Sequence, residues 1–75
     1  MKRVGDVVRT AQGLAVVRAP DESKPEFGIT VVDENLTEIG RVVDVFGPVA
    51  RPYVAVSPND DVLLPTLLGT TLYAR

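Results

Sequence analysis

The sequence predicts an all-β protein, folded as a small barrel or sandwich, from three observations. Its apolar residues come in short bursts that are rich in valine and other β-branched side chains. These bursts recur at roughly 8–12-residue spacing with turn-forming residues between them, a pattern typical of barrels and sandwiches. No segment has the periodicity of a long amphipathic helix. Closure into a barrel would also pair the sheet edges that so valine-rich a chain would otherwise expose.

The first half of the chain predicts three strands. Residues 4–11 and 14–19 are apolar runs, and the Gln12-Gly13 pair between them predicts a tight hairpin turn. Residues 20–27 contain two prolines and four charged residues, so we expect an exposed loop there. Residues 28–33 are again rich in β-branched side chains and predict the third strand.

The second half predicts three further strands, at residues 39–46, 52–56 and 70–75. The turn at 34–38 contains Asn35, a residue suited to a left-handed backbone conformation. A second turn is expected at 57–61. The apolar segment that follows is ambiguous, because Pro65 interrupts any regular element.

The length of 75 residues allows one small domain, residues 1–75, and the composition is that of a globular protein. The chain is 45% apolar and 24% charged, and it has neither cysteine nor histidine. This excludes a disulfide framework and a thiolate zinc site, and it removes the commonest general base. The neighbouring carboxylates Asp60 and Asp61 are interpreted as part of a solvated loop. We therefore predict no catalytic residue, no metal site and no cofactor.

Charge and hydropathy narrow the possible partners. The net charge of −2 argues against a free-standing nucleic-acid binder, which usually has a basic patch, so we predict no RNA-binding residue. No apolar run approaches the ~18 residues of a transmembrane helix, and no long apolar signal segment follows Met1. We expect a soluble, cytosolic protein that contacts no membrane.

Residues 41–56 are the most strongly patterned part of the chain, and two interpretations of them stay open. Alternation along strand 39–46 leaves apolar residues on both faces, and residues 52–56 repeat the situation. The surplus apolar side chains are either covered on both sides of a small barrel or exposed as a docking surface. The turn between the strands begins with Gly47-Pro48, a pair that stops the first strand and redirects the chain rigidly. A rigid apolar turn is a good interface anchor, because it loses little entropy on docking.

The stretch IGRVVDVFGPVARPYVAV resembles the core signature of the GAR-family subunit of H/ACA ribonucleoproteins. The residues that fit it are Ile39, Gly40, Val42, Asp44, Phe46, Gly47, Pro48, Val49, Pro52 and Tyr53. The segment FGPV-x-x-PY is the specific part, and the resemblance extends over nearly the whole chain. The chain is similar to a minimal archaeal form, without the glycine- and arginine-rich tails of eukaryotic members. Ser57 departs from the family pattern, since many relatives have a lysine there.

The resemblance implies a closed six-stranded β-barrel of the translation-factor (reductase/isomerase/elongation factor) type. It implies a non-catalytic subunit that docks on the RNA-guided pseudouridine synthase of the dyskerin family and aids substrate loading and turnover in rRNA pseudouridylation and ribosome biogenesis. The guide RNA and the other H/ACA proteins would be indirect partners, in the archaeal cytoplasm, with little direct RNA contact. The predicted partner interface consists of Val45, Phe46, Gly47, Pro48, Val49, Pro52 and Tyr53. Whether Arg41 or Arg51 pairs with the synthase stays open at this point.

A second family shares part of the pattern. PRC-barrel adaptors, which act in ribosome maturation, have a run similar to VVDENLTEIGRVVDV at residues 31–45. Their pattern does not require the continuation FGPVARPY, which favours the H/ACA interpretation.

Overall fold

Six antiparallel strands close into a barrel in the computed structural model, which describes residues 1–75. The order around the barrel is β1-β2-β5-β4-β3-β6, and β6 pairs with β1 to close it. The strands are β1 (Lys2–Ala11), β2 (Leu14–Arg18), β3 (Thr30–Val32), β4 (Glu38–Phe46), β5 (Tyr53–Pro58) and β6 (Thr71–Ala74). The predicted all-β class and six-stranded closed barrel are confirmed. Closure leaves no strand edge unpaired along the circuit, which suits a chain rich in valine.

Valine fills the interior of the barrel. The inward-facing side chains form one cluster of eleven buried residues: Val4, Val7, Ala15, Val17, Val31, Ile39, Val42, Val54, Val56, Leu67 and Leu72. No charged or polar side chain is buried with them. β-branched side chains pack well on a pleated surface, so their enrichment in the sequence and their position in the core have one cause.

The hairpin between β1 and β2 has the predicted turn. Gln12 and Gly13 both adopt positive φ, at 54° and 76°, as the favoured two-residue hairpin turns require. The predicted loop at 20–27 also lies outside every strand. The ambiguous segment forms a short 3₁₀ helix, Leu64–Leu67, with Pro65 in its first turn, where a missing N–H costs no hydrogen bond.

The left-handed residue of the 34–38 turn is Leu36, with φ of 64°, so the prediction for Asn35 was wrong. The cause is the side chain of Asp33, whose Oδ1 accepts hydrogen bonds from the backbone N–H of Asn35 (2.9 Å) and of Thr37 (3.0 Å). The N–H of Leu36 meanwhile donates to the carbonyl of Asp33. These bonds fix the turn one residue further along than side-chain preference alone indicates.

A β-bulge explains the mixed faces of β4. Val42 pairs with Val56 and Asp44 pairs with Ala55, so Val43 is the extra residue on the bulged strand. The bulge shifts the alternation by one: Val42 faces the core before it and Val45 packs against the core after it. Val43, Asp44 and Phe46 are exposed. Strict alternation, as applied to the sequence, could not separate the two faces.

Candidate docking surface

Strand pairing lines up five side chains on the outside of the barrel. Asp6 of β1 pairs with Thr71 of β6 and with Arg18 of β2. Arg18 in turn pairs with Tyr53 of β5, and Tyr53 pairs with Phe46 of β4. Directly opposed residues of neighbouring strands lie within side-chain contact distance, so this row is one continuous surface across five strands.

An aromatic pair forms one end of the row. The rings of Phe46 and Tyr53 are stacked, with centroids 5.6 Å apart and planes inclined by 22°. Phe46 keeps 40% of its surface exposed, whereas Tyr53 is half-buried. Stacked aromatic pairs of this kind add to the stability of their site beyond the area they bury. Phe46 is therefore held in place by Tyr53 and still presents apolar surface to solvent.

Arg18 covers Tyr53 and is held by it. Its guanidinium carbon lies 4.6 Å from the Tyr53 ring centroid, a cation–π distance, and its Nη1 donates a 2.7 Å hydrogen bond to the Tyr53 hydroxyl. The Nε of Arg18 is buried and has no hydrogen-bond partner. The guanidinium of Arg9 lies 5.9 Å from the same ring centroid. Two arginines thus border the aromatic pair.

The turn after Phe46 is rigid and apolar, as the sequence predicts. Gly47 has φ of +87°, and a Cβ there would lie 2.9 Å from Cδ2 of Tyr53. The N–H of Arg51 donates to the carbonyl of Pro48, and its Nε donates to the carbonyl of Ala19 at 2.9 Å. The turn is thereby tied to the end of β2. Val49, at its tip, is 72% exposed.

The residues predicted to form the partner interface lie together but not all at the surface. Phe46, Gly47, Pro48 and Val49 are exposed, and Tyr53 is half-buried behind Phe46. Val45 is half-buried against the core, and Pro52 is almost fully buried. We define the docking surface as Phe46, Gly47, Pro48, Val49 and Tyr53, with Val45 and Pro52 supporting it from inside.

The sequence did not indicate that Arg9 and Arg18 border this surface. Each arginine lies in a predicted strand, but nothing in the sequence of either strand indicates that β2 pairs with β5 and so brings Arg18 next to Tyr53.

The two arginines of residues 41–56 differ in their contacts. Arg51 donates a hydrogen bond to the Ala19 carbonyl, whereas Arg41 and Ser57 are exposed opposite each other on β4 and β5. No three acidic, histidine or cysteine side chains are grouped as a metal site. The structure contains no helix that is long and apolar enough to cross a membrane.

One protein-family model matches the whole chain. The model described as "Gar1/Naf1 RNA binding region" matches residues 1–75. The chain belongs to the Gar1/Naf1 family. This confirms the resemblance that the FGPV-x-x-PY segment indicated and favours it over the PRC-barrel alternative.

The Gar1/Naf1 relatives include archaeal and eukaryotic proteins. An uncharacterized protein from Methanocaldococcus jannaschii is 42% identical over 55 residues, which cover 72% of this chain and 64% of that protein. The "H/ACA ribonucleoprotein complex subunit GAR1" of Chaetomium globosum is 25% identical over 59 residues, covering 79% of this chain and 28% of the relative. An uncharacterized protein from Methanothermobacter thermautotrophicus is 26% identical over 76 residues, covering 97% and 82%. The chain thus spans less than two thirds of the first two relatives.

The hydroxyl of Tyr53 makes a testable contribution to this Gar1/Naf1 domain. Replacing Tyr53 with phenylalanine leaves a half-buried Arg18 without its acceptor, so we expect a loss of about 1–2 kcal/mol in the free energy of unfolding, measured by urea denaturation. Tyr73→Phe is the matched control, because the half-buried Tyr73 makes no side-chain hydrogen bond, and it should be nearly neutral. Equal effects of the two substitutions would contradict the proposed role of the Arg18 contact.

Asp6 is the acidic residue in the row of paired side chains, and its pKa tests whether the hydrogen bond from Thr71 is formed. Hydrogen bonds from the Thr71 hydroxyl (2.7 Å) and then from Arg3 (3.2 Å) hold the pKa of Asp6 below its ordinary value. A carboxyl whose pKa is lowered by folding contributes stability above its unfolded pKa, and it loses that contribution as pH falls below about 4. We expect Thr71→Val to raise the pKa of Asp6 in a carboxyl-carbon NMR titration. Asp21 is the internal control, since its low pKa is set by the backbone N–H of Ser23 and should not move.

Proposed function

We propose that this chain is a non-catalytic accessory subunit of an H/ACA ribonucleoprotein, the particle that carries out RNA-guided pseudouridylation of rRNA. Membership of the Gar1/Naf1 family and the similarity to the H/ACA subunit of Chaetomium globosum support the general role. The observation that carries the proposal to a site is the exposed Phe46, stacked on Tyr53 beside a rigid apolar turn.

The docking surface has the properties of an interface centre. Phe46 and Val49 present apolar area, and the Gly47-Pro48 turn is already held in one conformation by its hydrogen bonds to the end of β2. A preformed surface binds more tightly, because less conformational entropy is lost on association. Aromatic side chains at such centres commonly dominate the binding energy. We propose that the partner is the catalytic domain of a dyskerin-family pseudouridine synthase.

The proposed contribution to the reaction is substrate loading and turnover, in the archaeal cytoplasm. The chain has neither the histidine nor the cysteine that most often acts as general base or nucleophile, and in this proposal the chemistry belongs to the synthase. The test compares tritium release from labelled RNA by the particle with and without this subunit. Faster release under multiple turnover supports the role, and equal rates would contradict it. Co-purification from the native cell should yield a pseudouridine synthase, whereas ribosomal small-subunit proteins would favour the PRC-barrel alternative.

We predict that the isolated protein binds guide or substrate RNA negligibly at physiological salt. The net charge is −2, with ten acidic side chains against eight basic ones. Neutralisation of phosphates supplies most non-specific affinity, so a chain with an excess of negative charge should bind RNA weakly. Because the family description names RNA binding, the measurement matters: a filter-binding titration showing micromolar, salt-sensitive affinity would contradict the prediction.

A further inference from the structure

A groove lies at the opposite end of β4 from the docking surface. β4 begins at Glu38 and ends at Phe46, so the two ends are roughly 25 Å apart along the strand. The groove has a volume of about 380 Å³ and lies between the 33–38 turn, the start of β4 and the 3₁₀ helix. We call it the acidic groove and define it by Asp33, Thr37, Glu38, Ile39, Asp61, Val62, Leu63, Thr66, Leu67 and Thr70.

The acidic groove has an apolar floor and an apolar rim. Ile39 and Leu67, which contribute to the floor, belong to the barrel core and are only 4% and 5% exposed. Leu63 is 72% exposed at the rim, although it is a large aliphatic side chain with inward-facing neighbours. A groove with an apolar floor and a leucine at its rim can bury one aliphatic side chain of a ligand and gain free energy by removing both surfaces from water.

Negative charge is concentrated around this groove. Asp33, Glu38 and Asp61 line it, and no lysine or arginine does. Glu34 and Asp60 directly adjoin these residues in the chain, so five of the ten carboxylates of the protein lie in or beside the groove. Arg75 makes one ion pair here, with its Nη1 3.7 Å from Oε1 of Glu38. The local field therefore favours a cationic ligand and repels nucleic-acid phosphates.

The walls of the groove are held rigidly. Asp33 accepts two backbone hydrogen bonds across its own turn. The N–H of Asn59 donates to the carbonyl of Ile39 at 2.7 Å, and the N–H of Val62 donates to the carbonyl of Asn59. These bonds tie the 59–62 segment to the first residues of β4. The groove is therefore largely preformed, which lowers the entropic cost of binding.

Leu36 provides an observation independent of the groove. It has φ of 64°, in the left-handed region that non-glycine residues rarely adopt, and its side chain is 61% exposed. Asparagine, which tolerates this conformation better, stands one position earlier at Asn35. The turn that forms one wall of the groove thus presents a leucine to solvent in a strained conformation. The hydrogen bonds to Asp33 hold Leu36 in this conformation and leave its apolar side chain exposed in the turn that borders the groove.

We propose that the acidic groove binds a segment of a partner protein in which lysine or arginine flanks a leucine-sized apolar side chain. The apolar side chain occupies the groove against Leu63, and the flanking cations pair with Glu38 and Asp61. A metal ion fits less well, because no three carboxylates are grouped to hold one. The proposal does not depend on the docking surface, since the two share no residue.

The probe is a short peptide with one central leucine flanked on both sides by lysines. It is titrated into the isotopically labelled protein at physiological salt and followed by NMR. We expect shifts of backbone amides at 33–39 and 61–67. Replacing the peptide leucine with serine, or its lysines with glutamate, should weaken binding at least about tenfold, the change that corresponds to ~1.4 kcal/mol. Shifts centred on Phe46, or spread evenly over the surface, would overturn the proposal.

Variants of the protein separate the two parts of the recognition. Leu63→Ser should weaken the peptide at least about tenfold. Leu68→Ser is its control, since Leu68 is 54% exposed outside the groove, and it should change nothing. Asp61→Asn should weaken binding and reduce its salt dependence, whereas Glu26→Gln, at a residue that does not line the groove, should not. Unchanged affinity in Leu63→Ser would overturn the proposal, as would concentration-dependent shifts of the same amides without peptide, which indicate self-association.

Leu36→Asn tests the strained residue. Asparagine suits the left-handed conformation, so we expect a higher melting temperature, and peptide affinity should stay unchanged because Leu36 does not line the groove. Loss of peptide binding in Leu36→Asn would show that the peptide contacts the exposed 33–38 turn and not the groove, which would overturn the proposal. A variant in which Phe46 is replaced by alanine should bind the peptide as the native protein does, which separates this proposal from the docking function.

Discussion

Replacing Gly40 with alanine is expected to cost at least about 3 kcal/mol of the free energy of unfolding, a large fraction of the stability of a small domain. Gly40 is buried in β4 and pairs with Pro58 of β5. A Cβ at this position would overlap the backbone carbonyl oxygen of Ser57, and its distance to the carbonyl carbon would be only 2.8 Å. Backbone cannot rotate away as a side chain can, so the two strands would have to separate and break the circuit of the barrel.

Gly69→Ala is the matched control for Gly40→Ala. Gly69 has φ of +81° but nothing lies within 4 Å of an added Cβ, so its substitution costs only the left-handed conformation, about 1 kcal/mol. Gly40 is not in the left-handed region, so its cost is steric alone. Urea denaturation followed by circular dichroism measures both. A loss in Gly40→Ala no larger than that in Gly69→Ala would show that β4 and β5 can move apart cheaply.

Local sequence signals predicted most of the fold because they depend on few residues. The Gln12-Gly13 turn, the strand bursts and the break at Gly47-Pro48 each follow from the backbone preferences of one or two positions. β3 is shorter than the predicted 28–33, and β5 continues through Ser57 and Pro58. These limits are set by pairing partners, since Ser57 pairs with Arg41 and Pro58 with Gly40. The sequence of one strand does not indicate how long the neighbouring strand is, so the ends of β3 and β5 could not be predicted.

The rigid turn of the docking surface could be predicted from the sequence, but the contacts of the strands on either side of it could not. Gly47 and Pro48 identify a rigid turn whatever the rest of the chain does. The inward position of Val45 depends on the bulge at Val43, and a bulge is a property of two strands together. The contact between Arg18 and Tyr53 joins residues that are 35 positions apart, so only the order of strands in the barrel could reveal it.

Replacing Phe46 with alanine is expected to weaken binding to the proposed partner, the pseudouridine synthase, about thirtyfold. Truncation of an aromatic anchor at an interface centre commonly costs at least about 2 kcal/mol, and ~1.4 kcal/mol corresponds to a tenfold change in Kd. Phe46 is the better test residue than Tyr53. Tyr53 also holds Arg18 and packs over Gly47, so its truncation would disturb the fold as well as the surface. Loss of the Phe46–Tyr53 stack alone costs about 0.5–1.5 kcal/mol of stability.

Phe27→Ala provides a control of the same chemistry, because Phe27 is 67% exposed and lies outside the docking surface. Calorimetric titration of the synthase with both variants, at a temperature well below the melting temperature of each, measures the effect on binding separately from the effect on stability. Affinity that falls in Phe46→Ala and not in Phe27→Ala assigns the binding energy to this turn. Val49→Ser, at the 72% exposed tip, should add a smaller loss, since valine buries less area than phenylalanine. If Phe46→Ala binds as tightly as Phe27→Ala, the stacked aromatic pair stabilises the barrel and is not the centre of the proposed interface.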